Sequence, residues 1–263
     1  MNVLFVHGFG GARGPVERAM ADAARGGPHH LLPVHWPSGD LREMKARAVV
    51  EVARQVAEHR SLPRGLMQAA LQGTRQASQA WEQAVANVPA GAAQLATVIE
   101  AAHTTNRPAS IIAFSLGCRV VLYAIAAGVI APGSVQRLVF AGSAAPAAAF
   151  DVLPVIVAGG TGVVHVFSRN DAVLDRLYPR GEARTPPSGR QALDIPGVTN
   201  VAVDVGHRGY ASIAGVLWGL ATGEETVQVT TGKAMVQATK GKAMIQATTG
   251  KAARRLLRRP VDR

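Results

Sequence analysis

Residues 108–127 read Pro-Ala-Ser-Ile-Ile-Ala-Phe-Ser-Leu-Gly-Cys-Arg-Val-Val-Leu-Tyr-Ala-Ile-Ala-Ala, and this stretch decides the fold. Its first part, Pro108 to Phe114, is a near-continuous apolar run, the pattern of a strand buried on both faces. Its second part, Leu116 to about Ala127, is apolar and of helical length, and Gly128 with Pro132-Gly133 ends it. Ser115 therefore stands where a buried strand turns into a helix.

The same alternation extends outward in both directions. Val3 to Val6 is a short apolar strand closed by the glycine-rich turn His7-Gly8-Phe9-Gly10-Gly11. A helix follows over about Pro15 to Ala24, with proline at a tolerated first-turn position and Gly26-Gly27-Pro28 as its stop. Leu31 to Trp36 reads as a second strand, ended by Pro37-Ser38-Gly39. Beyond the central stretch, Arg137 to Ala141, Val163 to Phe167 and Val201 to Val205 are further strands. Strands alternating with helices give an α/β fold with a mostly parallel sheet covered by helices.

Between Asp40 and Arg107 the chain is rich in Ala, Gln, Arg and Glu, with breaks at Pro63 and Pro89-Ala90-Gly91, so about three helices are expected there. Leu66, Ala70 and Leu71, then Trp81, Val85 and Val88, suggest one-sided burial. This helical insertion before the nucleophile strand, about residues 40–107, is longer than an ordinary crossover. It reads either as a lid over a substrate cleft or as an elaborated packing layer.

Composition bounds the rest. A chain of 263 residues, 48% hydrophobic and 17% charged, can bury a sizeable core, and residues 1–222 read as one domain with a tail at 223–263. No signal-like segment precedes the first strand and no apolar run reaches the roughly 20 residues of a spanning helix. Cys118 is the only cysteine, which excludes an internal disulfide and a multi-cysteine zinc site, so a cytoplasmic location is expected. From Gly223 onward nine Lys or Arg oppose three acidic residues, so the tail holds +6 of the net +11. It contains a nine-residue repeat, Thr231 to Thr239 and Lys240 to Thr248, too few copies for a solenoid. Such a tail is solvated by default. Arg254 to Arg259 adds an expectation of weak contact with an anionic membrane surface, and nucleic acid is expected to bind only weakly and without specificity.

The chemistry lies at the strand-to-helix turn. Ala113-Phe114-Ser115-Leu116-Gly117 matches the nucleophile-elbow pattern G-x-S-x-G except that Ala113 replaces the first glycine. Small flanking residues are needed because the turn strains the serine backbone and brings other backbone close. A serine here also serves as a helix cap, so the motif alone is ambiguous. The loop His7 to Gly11 strengthens it, since glycines after the first strand let backbone N–H groups approach a developing oxyanion. The Phe9 and Leu116 N–H groups are the expected oxyanion donors, with Gly10 as the fallback. No G-x-G-x-x-G continuation or P-loop lysine accompanies the loop, so nucleotide binding is not indicated.

A serine hydroxyl needs a base, and the base needs a third group to hold its tautomer. His207 follows the strand Val201 to Val205 in a glycine-flanked loop, and Asp171 follows the strand Val163 to Phe167 in Ser168-Arg169-Asn170-Asp171. Asp175 is an alternative acid, while Asp204 reads as a solvent-facing or turn residue. His29, His30, His35, His59, His103 and His165 read as surface or packing residues without metal-ligand spacing, so neither metal nor cofactor is expected.

On these residues, with Val34-His35-Trp36-Pro37-Ser38 and Gly206-His207-Arg208-Gly209-Tyr210, the chain resembles the α/β-hydrolase superfamily over about residues 1–220. More narrowly it is similar to a branch carrying a domain of unknown function, with transmembrane and coiled-coil relatives in eukaryotes. The resemblance implies an α/β-hydrolase fold and a Ser115, Asp171, His207 triad. It leaves the substrate open, and neither the relatives' membrane segments nor the superfamily glycine at 113 is present in the sequence. The expected function is a serine hydrolase acting on a small-molecule or lipid ester, because an apolar helical insertion can cover an apolar cleft. The alternative is a non-catalytic scaffold of the same fold that holds a partner by its insertion or basic tail.

Overall fold

A computed structural model of the chain describes residues 1–10, 12–39, 78–104, 108–176, 178, 185–225, 227–230, 233–236 and 245–249. Six strands form an all-parallel sheet: β1 Asn2–Val6, β2 His30–Val34, β3 Ala109–Phe114, β4 Arg137–Ala141, β5 Gly162–Phe167 and β6 Val198–Ala202. Their order is β2-β1-β3-β4-β5-β6. The chain reverses direction across the sheet between β1 and β3, which places the exits of these two neighbours side by side at the C-terminal edge.

The apolar runs are explained by burial on both faces. Leu4, Val6, Ile111, Ala113, Leu138 and Phe140 face one layer, with the helices Val88–His103 and Gly117–Ala126. Val3, Phe5, Ile112, Phe114, Val139 and Ala141 face the other, with the helices Pro15–Ala24 and Ala214–Thr222. Helix, sheet and helix make three layers, and the coarse α/β reading of the sequence holds.

Three particulars differ from the sequence reading. The break expected around Pro89 falls at Asn87, between the helix 78–86 and the helix Val88–His103, and Pro89 occupies the first turn of the latter, where an N–H would lack a partner anyway. The final parallel strand ends at Ala202 rather than Val205, because β5 supplies partners only through Phe167, opposite Ala202. The basic tail also contributes strands, Val227–Thr230, Lys233–Val236 and Ile245–Thr249, which extend the sheet antiparallel beyond β6. Val236 pairs with Ile245, the sixth position of each repeat, and the antiparallel register offsets the other pairs. The insertion's residues 40–77, with Pro63, Leu66, Ala70 and Leu71, lie outside the described residues, as do Gly11 and Arg254 to Arg259. Among the described residues no helix is long and apolar enough to cross a membrane.

One buried group makes stability depend on pH. His165 on β5 is fully buried, its Nδ1–H donating to Asn200 Oδ1 at 3.2 Å while Nε2 has no partner. Desolvation holds its pKa at about 4, below the ordinary 6.5. From pH 6.5 down to about 4 the unfolded chain therefore binds a proton that the folded one refuses, and stability falls with pH in that window. The expected loss is on the order of 3 kcal/mol by the lower end. Urea midpoints measured across that range should show a shallower slope in His165→Gln than in the wild type.

Candidate active site

The C-terminal edge of the parallel sheet collects the loops after β1, β3, β5 and β6. Ser115 follows β3 directly and has φ 55°, one of two non-glycine residues at positive φ among those described. Such a backbone costs on the order of 1 kcal/mol or more and persists only where surroundings hold it. Here the holding groups are visible: Ser115 N–H donates to Ala141 O at 3.0 Å, and Ser115 O accepts from Cys118 N–H at 3.2 Å and Ala144 N–H at 3.1 Å. The strain expected of the turn is present.

The glycines on both sides act by their lack of a side chain. A Cβ on Gly8 would lie 2.6 Å from Ser115 Cβ and 3.1 Å from its Oγ, so the loop after β1 passes directly against the serine. A Cβ on Gly117 would lie 2.3 Å from Val6 O and 2.6 Å from His7 O. Both are main-chain atoms of a central strand and its exit, and neither can yield. Gly117→Ala is expected to lose about 3 kcal/mol of stability, the upper range of an overpacked core, read as a lowered urea midpoint.

Asp171 and His207 are brought together. His207 Nδ1 donates to Asp171 Oδ2 at 2.7 Å, and the carboxylate is fully buried. Asp171 Oδ1 accepts from the N–H groups of Val173 at 3.1 Å and Leu174 at 3.0 Å, which fixes the carboxylate in one orientation. This bond puts the proton on Nδ1 and leaves Nε2 as a lone pair. The His207 ring packs on Phe114, the neighbour of Ser115, with centroids 4.9 Å apart. Among the described residues no hydrogen bond joins His207 to Ser115. Asp175 is taken by an ion pair with Arg190, and exposed Asp204 accepts from Asn170 Nδ2.

Of the expected oxyanion donors, Phe9 N–H and Leu116 N–H have no hydrogen-bond acceptor among the described residues. The Gly10 N–H is spent on Ser38 O at 3.1 Å, which removes it as the fallback. The loop itself is anchored by the second strand's exit, since Trp36 Nε1–H donates to His7 O at 2.9 Å. His7 is buried with Nδ1 bonded to Gly8 O at 2.8 Å, and desolvation lowers its pKa.

Other contributors were not legible as such. Tyr210, one turn past His207 in the same short 3₁₀ segment His207–Ile213, is buried against Phe114 and His207, and burial, then the Asp171 charge, raises its phenol pKa. Trp81, in the helix 78–86, meets Phe9 edge-on at 5.7 Å and buried Tyr178 at 6.2 Å, an aromatic cluster packed beside the loop after β1. Arg119 Nε–H donates to Ala144 O at 2.8 Å and its guanidinium lies over Tyr178. Cys118 is buried, its thiol pushed up to about 12, and is chemically inert as a nucleophile.

Over 142 residues, 51% of the chain, the sequence is 32% identical to the transmembrane and coiled-coil domain-containing protein STS1 of Oryza sativa subsp. japonica. The chain spans only 21% of that protein's length. No solved structure matches. A family model covers residues 71–217, which contain Ser115, Asp171 and His207, and the chain belongs to that family, described as a protein of unknown function (DUF726).

Proposed function

We propose that the chain has an α/β-hydrolase fold and is a serine hydrolase acting on ester bonds. The observation that carries this reading is the buried Asp171–His207 hydrogen bond on the same sheet edge as a serine held at φ 55°. Ser115 Oγ attacks the ester carbonyl while His207 Nε2 accepts its proton. Asp171 holds the imidazole tautomer and stabilises the imidazolium. The tetrahedral oxyanion is received by the Phe9 and Leu116 N–H groups, which have no acceptor among the described residues. His207 then protonates the leaving alcohol, and water, activated by the same imidazole, releases the acid. A triad whose serine–histidine bond tightens only with substrate bound is ordinary for a ligand-free site.

The test is turnover of nitrophenyl esters of graded acyl length by folded protein. Steady release of nitrophenol with at least one of them supports the reading, and none across the series contradicts it. A second reading, the non-catalytic scaffold, is favoured by the missing Ser115–His207 bond and by a serine only 4% exposed. It requires that no ester be turned over.

A further inference from the structure

Glycines at 8 and 10 leave the backbone on both sides of Phe9 pliable, so the direction of the Phe9 N–H depends on what ties the loop down. From within, His7 Nδ1–H donates to Gly8 O at 2.8 Å. The outer ties come from the exit of β2. Trp36 Nε1–H donates to His7 O at 2.9 Å on one side of the Gly8–Phe9 peptide, and Gly10 N–H donates to Ser38 O at 3.1 Å on the other. Both belong to one tight turn, closed by Ser38 N–H to Trp36 O at 2.7 Å. Between the two ties the Phe9 N–H is left without an acceptor among the described residues.

The turn is itself held by the helical insertion. The buried Trp36 indole stacks on the His7 ring, with centroids 6.0 Å apart and planes at 22°, and a Cβ on Gly91 would lie 3.1 Å from its Cε3, so the helix Val88–His103 presses on it. At the junction between the helix 78–86 and that helix, Asn87 Nδ2–H donates to Pro37 O at 2.8 Å, across 50 positions of sequence. Water would satisfy an exposed carbonyl nearly as well, so this bond acts on position more than on stability. A buried indole N–H finds a partner in most cores. Here the partner is the carbonyl that leads into the oxyanion loop, and the same turn receives the residue that leads out of it.

We propose that Trp36 and Asn87 are positioning residues for the oxyanion donor: they hold the turn 36–38, and through it the Phe9 N–H, where the tetrahedral oxyanion forms. This rests on the hydrolase reading, and it gives the insertion's helix junction a part in the reaction. A donor serves the oxyanion only within hydrogen-bond reach, and a displacement of about 1 Å costs on the order of a hundredfold in rate. The ground-state carbonyl depends on the donor less, so the loss falls on kcat and not on KM.

The experiment compares wild type, Trp36→Phe, Asn87→Ala and the double variant in nitrophenyl ester turnover, urea midpoint and inhibition by an alkyl trifluoromethyl ketone. Ser115 Oγ adds to the ketone carbonyl, its proton passes to His207, and the carbonyl oxygen becomes an oxyanion in the place the ester's would take. We expect Trp36→Phe, which keeps a ring in the core and removes only the donor, to lower kcat by roughly tenfold to a hundredfold with KM within about twofold, and to weaken the ketone by the same factor. Asn87→Ala lowers both by roughly threefold to tenfold with an unchanged urea midpoint, and decides the matter alone should Trp36→Phe fail to fold. The double variant falls little below Trp36→Phe, because both residues act on one loop. Ketone affinity unchanged in the folded single variants, or losses that follow the urea midpoint and multiply in the double variant, overturns the proposal and leaves the hydrolase reading in place. A wild type that turns over no ester removes the hydrolase reading, and the proposal falls with it.

Discussion

Ser115→Ala is expected to lower ester hydrolysis by roughly 10⁵- to 10⁶-fold in kcat, close to the loss from removing a whole triad. The size follows from the chemistry. Without Oγ there is no acyl-enzyme, and attack must come from water, with the two N–H groups still stabilising the oxyanion. The strain at residue 115 adds a diagnostic, because alanine also disfavours φ 55° but needs no different space. The variant should fold with nearly unchanged stability while losing turnover, and comparing its urea midpoint with its nitrophenyl ester rate separates the two effects. Equal rates in wild type and variant would mean that whatever hydrolysis is seen does not pass through this serine.

Asp171→Asn is expected to lower kcat by about 10⁴-fold. The carboxylate accepts three hydrogen bonds, from His207 Nδ1 and from the N–H groups of Val173 and Leu174. The amide oxygen can replace the carboxylate toward the two backbone groups, so the loop stays ordered. The amide nitrogen then faces His207 Nδ1 and favours the tautomer with its proton on Nε2, where a base is useless to Ser115. Rates measured across pH should show the loss at every pH rather than a displaced profile. A variant that retains wild-type kcat would contradict the assignment of Asp171 as the orienting acid and return attention to Asp175.

Much of this arrangement could be read along the chain because it depends on local punctuation. Pro15 to Ala24 and Arg137 to Ala141 appear with the bounds that proline, glycine and apolar blocks imply. Ser115, Asp171 and His207 could be placed on one edge because parallel strands present all their exits together. What escaped the sequence is tertiary. Val201, Val203 and Val205 alternate as a strand should, yet the strand occupies Val198–Ala202 because its partner ends at Phe167. The Gly10 N–H looked available until Ser38, 28 positions later, was seen to accept from it. The aromatic cluster of Phe9, Trp81 and Tyr178 joins residues whose neighbours in sequence say nothing of one another.

The central claim is that Ser115 is an activated nucleophile, and the direct measurement is reaction with a fluorophosphonate followed by mass mapping of the labelled peptide. The account predicts a single adduct on Ser115 in the wild type, absent in Ser115→Ala and formed far more slowly in Asp171→Asn. Folded wild-type protein that takes no label, or carries it on a residue other than Ser115, would contradict it.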